Sequence, residues 1–258
     1  MPFQKLQNAD LYYETFGMGE PVIFIHGSLS NGNETFQKQI PFFQSSYRSI
    51  VIDLRCHGKS KGDFTGLNTE ILSEDIIEFM DIQGISKAHF VGHSMGGDVA
   101  MYCALNHPEK IASIILISDG AAANDRITAY LERLNPENID YQLFSKLISK
   151  LQSVYGNQWT SFVKWTIWNC STYPDISDTD LKQIIAPVML IRGELDEMVL
   201  DSEVERLRNN LPIFRYYMFE NGNHFLHSQK ENYSKVNQCI NTFLSNHKIN
   251  SDLSQQHI

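Results

Sequence analysis

Cysteine, proline and positive charge are all scarce in this chain of 258 residues, and each scarcity excludes something. The four cysteines, Cys56, Cys103, Cys170 and Cys239, stand 47, 67 and 69 positions apart with no C-x-x-C pair. That spacing supports neither a metal site nor a disulfide framework, and it suits a reducing compartment. Lys and Arg total 21 against 30 Asp and Glu, a formal charge of −9, so phosphate backbones and anionic lipid have no global attraction for it. No apolar run approaches the ~20 residues of a membrane span. The start, Met1-Pro2-Phe3-Gln4-Lys5, lacks the basic-then-apolar pattern of a signal peptide. The expectation is a cytoplasmic monomer or homodimer that takes a small-molecule substrate, with no nucleic-acid or membrane partner.

What is present is an ordinary globular balance, 42% hydrophobic and 20% charged. A chain this long buries on the order of 70–75% of its unfolded surface, enough to fold without staples. Short apolar blocks recur: Val22 to Ile25, Ile50 to Ile52, Ala88 to Val91, Ile114 to Ile117, Val188 to Ile191 and Arg215 to Phe219. Such runs read as strands covered on both faces. Leu11 to Glu14 reads as part of an antiparallel hairpin at the start of the sheet. Helical spacing appears at 71–80, 98–106, 203–210 and 233–244, and His107-Pro108 ends the second of these. Alternating strands and helices predict an α/β fold, a mainly parallel sheet flanked by helices on both faces.

Residues 121–180 break the alternation. They hold all three tryptophans and no convincing strand, and read as a helical cap inserted into a core made of 1–120 and 181–247. Residues 248–258 read as a polar terminal tail.

The strongest chemical signal is Gly92-His93-Ser94-Met95-Gly96, a G-x-S-x-G run between a predicted strand and a predicted helix. A serine in so tight a turn needs small residues two before and two after it. The turn lifts Ser94 Oγ clear of the sheet and leaves the Met95 amide at a helix N-terminus, facing developing negative charge. A serine hydroxyl is a poor nucleophile, so a base must lie within reach. His224, in Glu220-Asn221-Gly222-Asn223-His224 after the last predicted strand, is the best candidate, and His227 its competitor. Asp196, after Ile191-Arg192-Gly193, suits the acid that orients the base; Asp119 is its rival. Glu194 and Glu197 read as solvated. His26-Gly27-Ser28 follows the first long strand and offers the Ser28 amide as the second oxyanion donor.

With these motifs in place the chain resembles the α/β-hydrolase fold superfamily, in its single-domain, lidded serine-hydrolase form. The likeness runs from about residue 10 to 245, on His26-Gly27, Asp53-Leu54-Arg55-Cys56-His57-Gly58-Lys59-Ser60, Gly92 to Gly97, and Gly193 to Asp196 with Asn223-His224. It implies Ser94 as nucleophile, Asp196 as acid and His224 as base, in the chain order of that superfamily. It also implies an oxyanion hole from the Ser28 and Met95 amides, and acyl transfer that calls for no cofactor. Esterases, lactonases, thioesterases and carbon–carbon bond hydrolases share the pattern. Ester hydrolysis is the main reading; a C–C hydrolase, lyase or cyclase, or a slow-turnover receptor, is the alternative.

Two departures qualify the resemblance: after His224 the chain reads Glu231-Asn232-Tyr233 where the superfamily often has Glu-x-Pro, and a turn residue differs. Cys56 stands where the superfamily's turn has Gly, and a side chain there resists positive φ. In the cap, Trp159, Phe162, Trp165 and Trp168 are candidates for an apolar substrate wall, beside His26 at the oxyanion loop. Three of them follow at intervals of three, so they share a helix face, which equally suits packing of the cap onto the sheet.

Overall fold

Successive residues of the central strands face opposite sides of a single sheet. Val22 and Phe24 enter one apolar cluster, Ile23 and Ile25 the other, and Ile114 to Ile117 divide in the same way. Both faces are therefore covered, which explains the unbroken apolar runs. The computed structural model describes residues 2–249. Of the expected tail, residues 250–258 lie outside the described residues.

Nine strands are present among the described residues: β1 (Phe3–Lys5), β2 (Ala9–Phe16), β3 (Pro21–Ile25), β4 (Arg48–Ile52), β5 (Lys61–Gly62), β6 (Ala88–His93), β7 (Ile111–Ile117), β8 (Val188–Gly193) and β9 (Phe214–Phe219). Their order is β1-β2-β4-β3-β6-β7-β8-β9, with β5 beside β2. The N-terminal pairings β1–β2 and β2–β4 are antiparallel, and every pairing from β4 to β9 is parallel. The chain runs outward from β3 to β4 and then returns past β3 to β6. Between β3 and β6 the winding reverses, and ligands of open α/β sheets bind at the carboxyl ends of such a pair.

The helices are α1 (Gly32–Thr35), α2 (Ile40–Phe43), α3 (Thr69–Ile82), α4 (Met95–Asn106), α5 (Asp125–Glu132), α6 (Ser145–Tyr155), α7 (Trp159–Thr172), α8 (Asp178–Leu181), α9 (Asp201–Asn210) and α10 (Tyr233–Asn246). Helices α3 and α4 pack together on one face of the sheet, and α10 covers the other. Asn68 caps α3, its Oδ1 accepting the Ile71 amide at 2.9 Å.

Residues 121–180 contain α5 to α7 and most of α8, and lie between β7 and β8. Helix α7 is tied to the start of α3: Trp165 Nε1–H donates to the Leu67 carbonyl at 2.8 Å, and Asn169 Nδ2 donates to Thr69 Oγ1 at 2.8 Å. Helix α5 packs on α7.

Candidate active site

Ser94 sits between β6 and α4 with φ 51° and ψ −129°, a conformation costing roughly 1–3 kcal/mol for a side-chain-bearing residue. The neighbouring glycines make that turn possible. A β-carbon on Gly92 would stand 2.3 Å from the Gly96 carbonyl oxygen, and one on Gly96 would stand 2.1 Å from that of Ile25. The first turn of α4 thus presses against the end of β3, and the chain after β3 lies beside the serine.

That chain is Gly27-Ser28. Gly27 packs so closely that a β-carbon would come within 3.2 Å of Ser94 Cβ. Ser28, Ser94 and Met95 line one cavity of about 240 Å³. Met95 opens α4, so its amide has no acceptor within the helix.

His26 corrects an expectation, for it does not line this cavity. It is fully buried, its Nδ1–H donating to the Gly27 carbonyl at 2.7 Å and its Nε2 accepting the Leu54 amide at 3.0 Å. Burial pushes its pKa down to about 4, so the ring is neutral with the proton on Nδ1. In a trans peptide the N–H points opposite to the C=O. Holding the Gly27 carbonyl therefore fixes the direction of the Ser28 amide.

The loops after β8 and β9 meet directly. A β-carbon on Gly193 would stand 2.2 Å from the Gly222 carbonyl oxygen, which itself accepts the Leu195 amide at 2.7 Å. This contact brings Asp196 to His224, whose Nδ1 lies 3.1 and 3.2 Å from the two carboxylate oxygens. Asp196 is 2% exposed and also accepts the Met198 amide at 3.0 Å. Burial alone raises its pKa, but the His224 hydrogen bond and charge, with the Met198 amide and the Ser118 hydroxyl, outweigh that and hold it below the usual carboxylate value. His224 lines the cavity with Ser94. Among the described residues the His224 side chain is hydrogen-bonded to Asp196 and not to Ser94.

The two rivals are placed elsewhere. His227 is buried outside the cavity lining, against Phe36 and His93, and burial pushes its pKa down to about 3. Asp119 accepts the Ala121 amide at 2.9 Å, and its carboxyl pairs with that of Asp98 in the cavity floor. Burial raises Asp119 to about 7; burial and the neighbouring Asp119 raise Asp98 well above the carboxylate range.

Cys56 takes φ 62° despite its side chain, so the turn keeps the left-handed backbone a glycine would adopt there. Asp53 holds this turn closed, its oxygens accepting the Gly32 and Lys59 amides at 2.8 and 2.9 Å. The Cys56 thiol is buried and pushed up to about 12 by that burial, which leaves it inert.

The four α7 aromatics do not line the cavity. Phe162 stacks between Tyr155 and Trp165 with its edge on His57, because the shared face of α7 turns toward α3 and the Asp53 turn. Trp159 is buried, and Trp168 is 47% exposed with its edge on Tyr173. The apolar wall comes instead from Ile127, Leu131 and Leu134 on and after α5, with Leu147 on α6 and Val199 and Phe225 from the core loops. Spacings of four and three among Ile127, Leu131 and Leu134 are a helical apolar face that sequence reasoning passed over. At the rim, Lys150 on α6 pairs with Glu34 on α1.

Among the described residues no group of three or more His, Cys, Asp or Glu side chains is placed to hold a metal ion, and no helix is long and apolar enough to cross a membrane.

Comparison with known proteins places this geometry in context. A family model described as alpha/beta hydrolase fold matches residues 20–143. The chain is 26% identical to a 2-hydroxy-6-oxononadienedioate/2-hydroxy-6-oxononatrienedioate hydrolase of Burkholderia vietnamiensis, over 91% of this chain and 90% of that protein. It is 33% identical to 3-oxoadipate enol-lactonase 2 of Acinetobacter baylyi over 45% of this chain, a match spanning 43% of the relative's length. A thermophilic esterase from Thermogutta terrifontis superposes with a TM-score of 0.75 at 21% identity, covering 93% of this chain and 95% of that one.

Proposed function

We propose that this chain, a member of the α/β-hydrolase fold superfamily, cleaves a carboxylic ester or related acyl bond of a small, largely apolar molecule through an acyl-enzyme on Ser94. The observation that carries the reading is the contact of His224 Nδ1 with both oxygens of buried Asp196, in the cavity that also holds Ser94. Asp196 fixes the imidazole with its proton on Nδ1, so Nε2 is free to accept. His224 removes the Ser94 proton as Oγ attacks the carbonyl, and the Ser28 and Met95 amides hold the oxyanion. His224 next protonates the leaving group. Water then enters by the same route and frees the acid. Each oxyanion donor is worth roughly 3 kcal/mol of barrier.

Residues 121–180 act as a cap in this reading, since α5 and α6 supply the apolar wall above the serine. The full-length likeness to a 2-hydroxy-6-oxononadienedioate hydrolase favours a second reading, a carbon–carbon hydrolase of such dioates. The cavity charges weigh against it. Among the lining residues Lys150 is the one Lys or Arg, and it is engaged by Glu34, so a second carboxylate finds no free cation to meet it.

The test is hydrolysis of p-nitrophenyl esters from acetate to long acyl chains by wild type and Ser94→Ala. Ester hydrolysis predicts turnover with one chain-length optimum, lost by several orders of magnitude in the variant. Poor turnover at every length by a folded wild type, with rapid turnover of a dienedioate, establishes the second reading instead.

A further inference from the structure

His93 stands outside the reacting set and yet touches three parts of the site. It precedes Ser94 at the end of β6. Its Nε2–H donates to the carbonyl oxygen of His224 at 2.9 Å. The ring lies 5.0 Å from that of His224, 5.4 Å from Phe225 and 4.5 Å from His227, centroid to centroid. On the oxyanion side, a β-carbon at Gly27 would come 3.1 Å from His93 Nδ1. The imidazole is thus wedged between the loop that presents Ser28 and the loop that presents His224. Further along the base loop, Gln39 Nε2 donates to the His227 carbonyl at 2.8 Å, and Asn223 Oδ1 accepts the Phe225 amide at 2.8 Å. The carbonyl of His224 itself is held by His93.

We propose that His93 is a positioning residue for the base: its grip on the His224 backbone sets where that imidazole stands relative to Ser94. The proposal rests on the reading of Ser94 as nucleophile and His224 as base. A carbonyl can only accept, so Nε2 of His93 carries a proton whatever the charge of the ring. Burial, with the nearby histidines, holds its pKa well below that of a free histidine, so the ring is neutral. It therefore grips His224 without placing a cation beside a ring that must itself become an imidazolium. A neutral donor of similar reach should replace it, and an apolar side chain of similar size should not. Gln and Met make that pair: both are unbranched and alike in volume, and only Gln has an N–H to give.

The experiment compares wild type, His93→Gln, His93→Met and Ser94→Ala for the rate of labelling by a fluorophosphonate across pH, with kcat and KM on the best p-nitrophenyl ester and a thermal melt of each. Misplacement of a catalytic group by about 1 Å can cost ~100-fold. His93→Met should accordingly lose ~100-fold in labelling rate and kcat, with KM within about two-fold. His93→Gln should stay within about ten-fold of wild type in both.

A His93→Met variant that labels within two-fold of wild type overturns the proposal, and so do equal losses in the Gln and Met variants. Should the Met variant fail to fold, Asn, a donor one bond shorter, takes its place with the same expected loss. A folded wild type that is not labelled, or Ser94→Ala labelled at the wild-type rate, overturns the hydrolase reading and this proposal together. Loss confined to Ser94→Ala, with His93→Met intact, overturns this proposal alone.

Discussion

The carbonyl oxygen of Ile25 stands 2.1 Å from the place a β-carbon on Gly96 would occupy. The end of β3 and the first turn of α4 are therefore in backbone contact, and this contact sets the Gly27-Ser28 loop beside Ser94. Gly96→Ala must push the two apart, and neither neighbour is a flexible side chain that can swing away. Overpacking of this kind costs roughly 1–3 kcal/mol, so the melting temperature should fall by several degrees. Ester hydrolysis should fall by ~100-fold, because Ser28 moves relative to Ser94. A variant that melts and hydrolyses like wild type would show that the contact carries no catalytic geometry.

Two carboxylates compete for the acid role, and substitution separates them. Asp196 touches His224 while Asp119 pairs with Asp98. Asp196→Asn should lower kcat by ~10³–10⁴-fold by permitting the wrong tautomer of His224. Asp119→Asn should lower kcat by less than about ten-fold. Steady-state kinetics of the two variants at one pH decides between them, and the reverse order assigns the role to Asp119.

The cavity wall predicts substrate preference. Leu134 lines the pocket and Trp168 does not. Leu134→Ala should shift the optimal acyl chain to greater length, because the wall recedes by about three carbons' worth of side chain. Trp168→Ala should leave the optimum in place. Chain-length profiles of the two variants on p-nitrophenyl esters test this directly.

Buried histidines and a buried carboxyl should pull stability in opposite senses over the same acid range. Burial holds His26 at about 4 and His57 and His227 at about 3, below the ~6.5 of an unfolded histidine. As pH falls through about 6.5 the unfolded chain takes up protons that the folded one refuses, so stability declines toward pH 4. Asp119 works the other way. Its folded pKa of about 7 lies above the unfolded ~3.9, so its contribution is complete below about pH 4 and is lost as pH rises through 7. Asp119→Asn removes this opposing contribution, so its melting temperature should fall more steeply than that of wild type as pH drops from about 7 to 4. A variant with the wild-type slope over that range would show that Asp119 holds no extra proton in the folded chain.

The sheet was legible in the sequence because strands covered on both faces advertise themselves as short apolar runs. Ser94 was equally legible, since its turn tolerates only small neighbours, and those neighbours are local. The choice between Asp196 and Asp119 was not. Both follow strands that end at the same edge of the sheet, and what separates them is the contact of Gly193 with Gly222 between two loops. His26 misled for a related reason: its position marks the oxyanion loop, but only the folded chain shows the ring turned into the Gly27 carbonyl and the Leu54 amide. On α7 spacing of three does not keep a face: Phe162 and Trp165 are buried against His57 and the start of α3, and Trp168 is exposed beside Tyr173. The smaller Ile127, Leu131 and Leu134 carried the pocket.

The central claim is that Ser94 becomes acylated with His224 as its base. Acid quench of a reaction with a slowly deacylating p-nitrophenyl ester, followed by intact-mass and peptide-level mass spectrometry, tests it most directly. One acyl adduct should appear, located on Ser94, formed in step with a burst of p-nitrophenol and absent from both Ser94→Ala and His224→Ala. Turnover by folded wild type with no adduct, or an adduct that persists in Ser94→Ala, would contradict it.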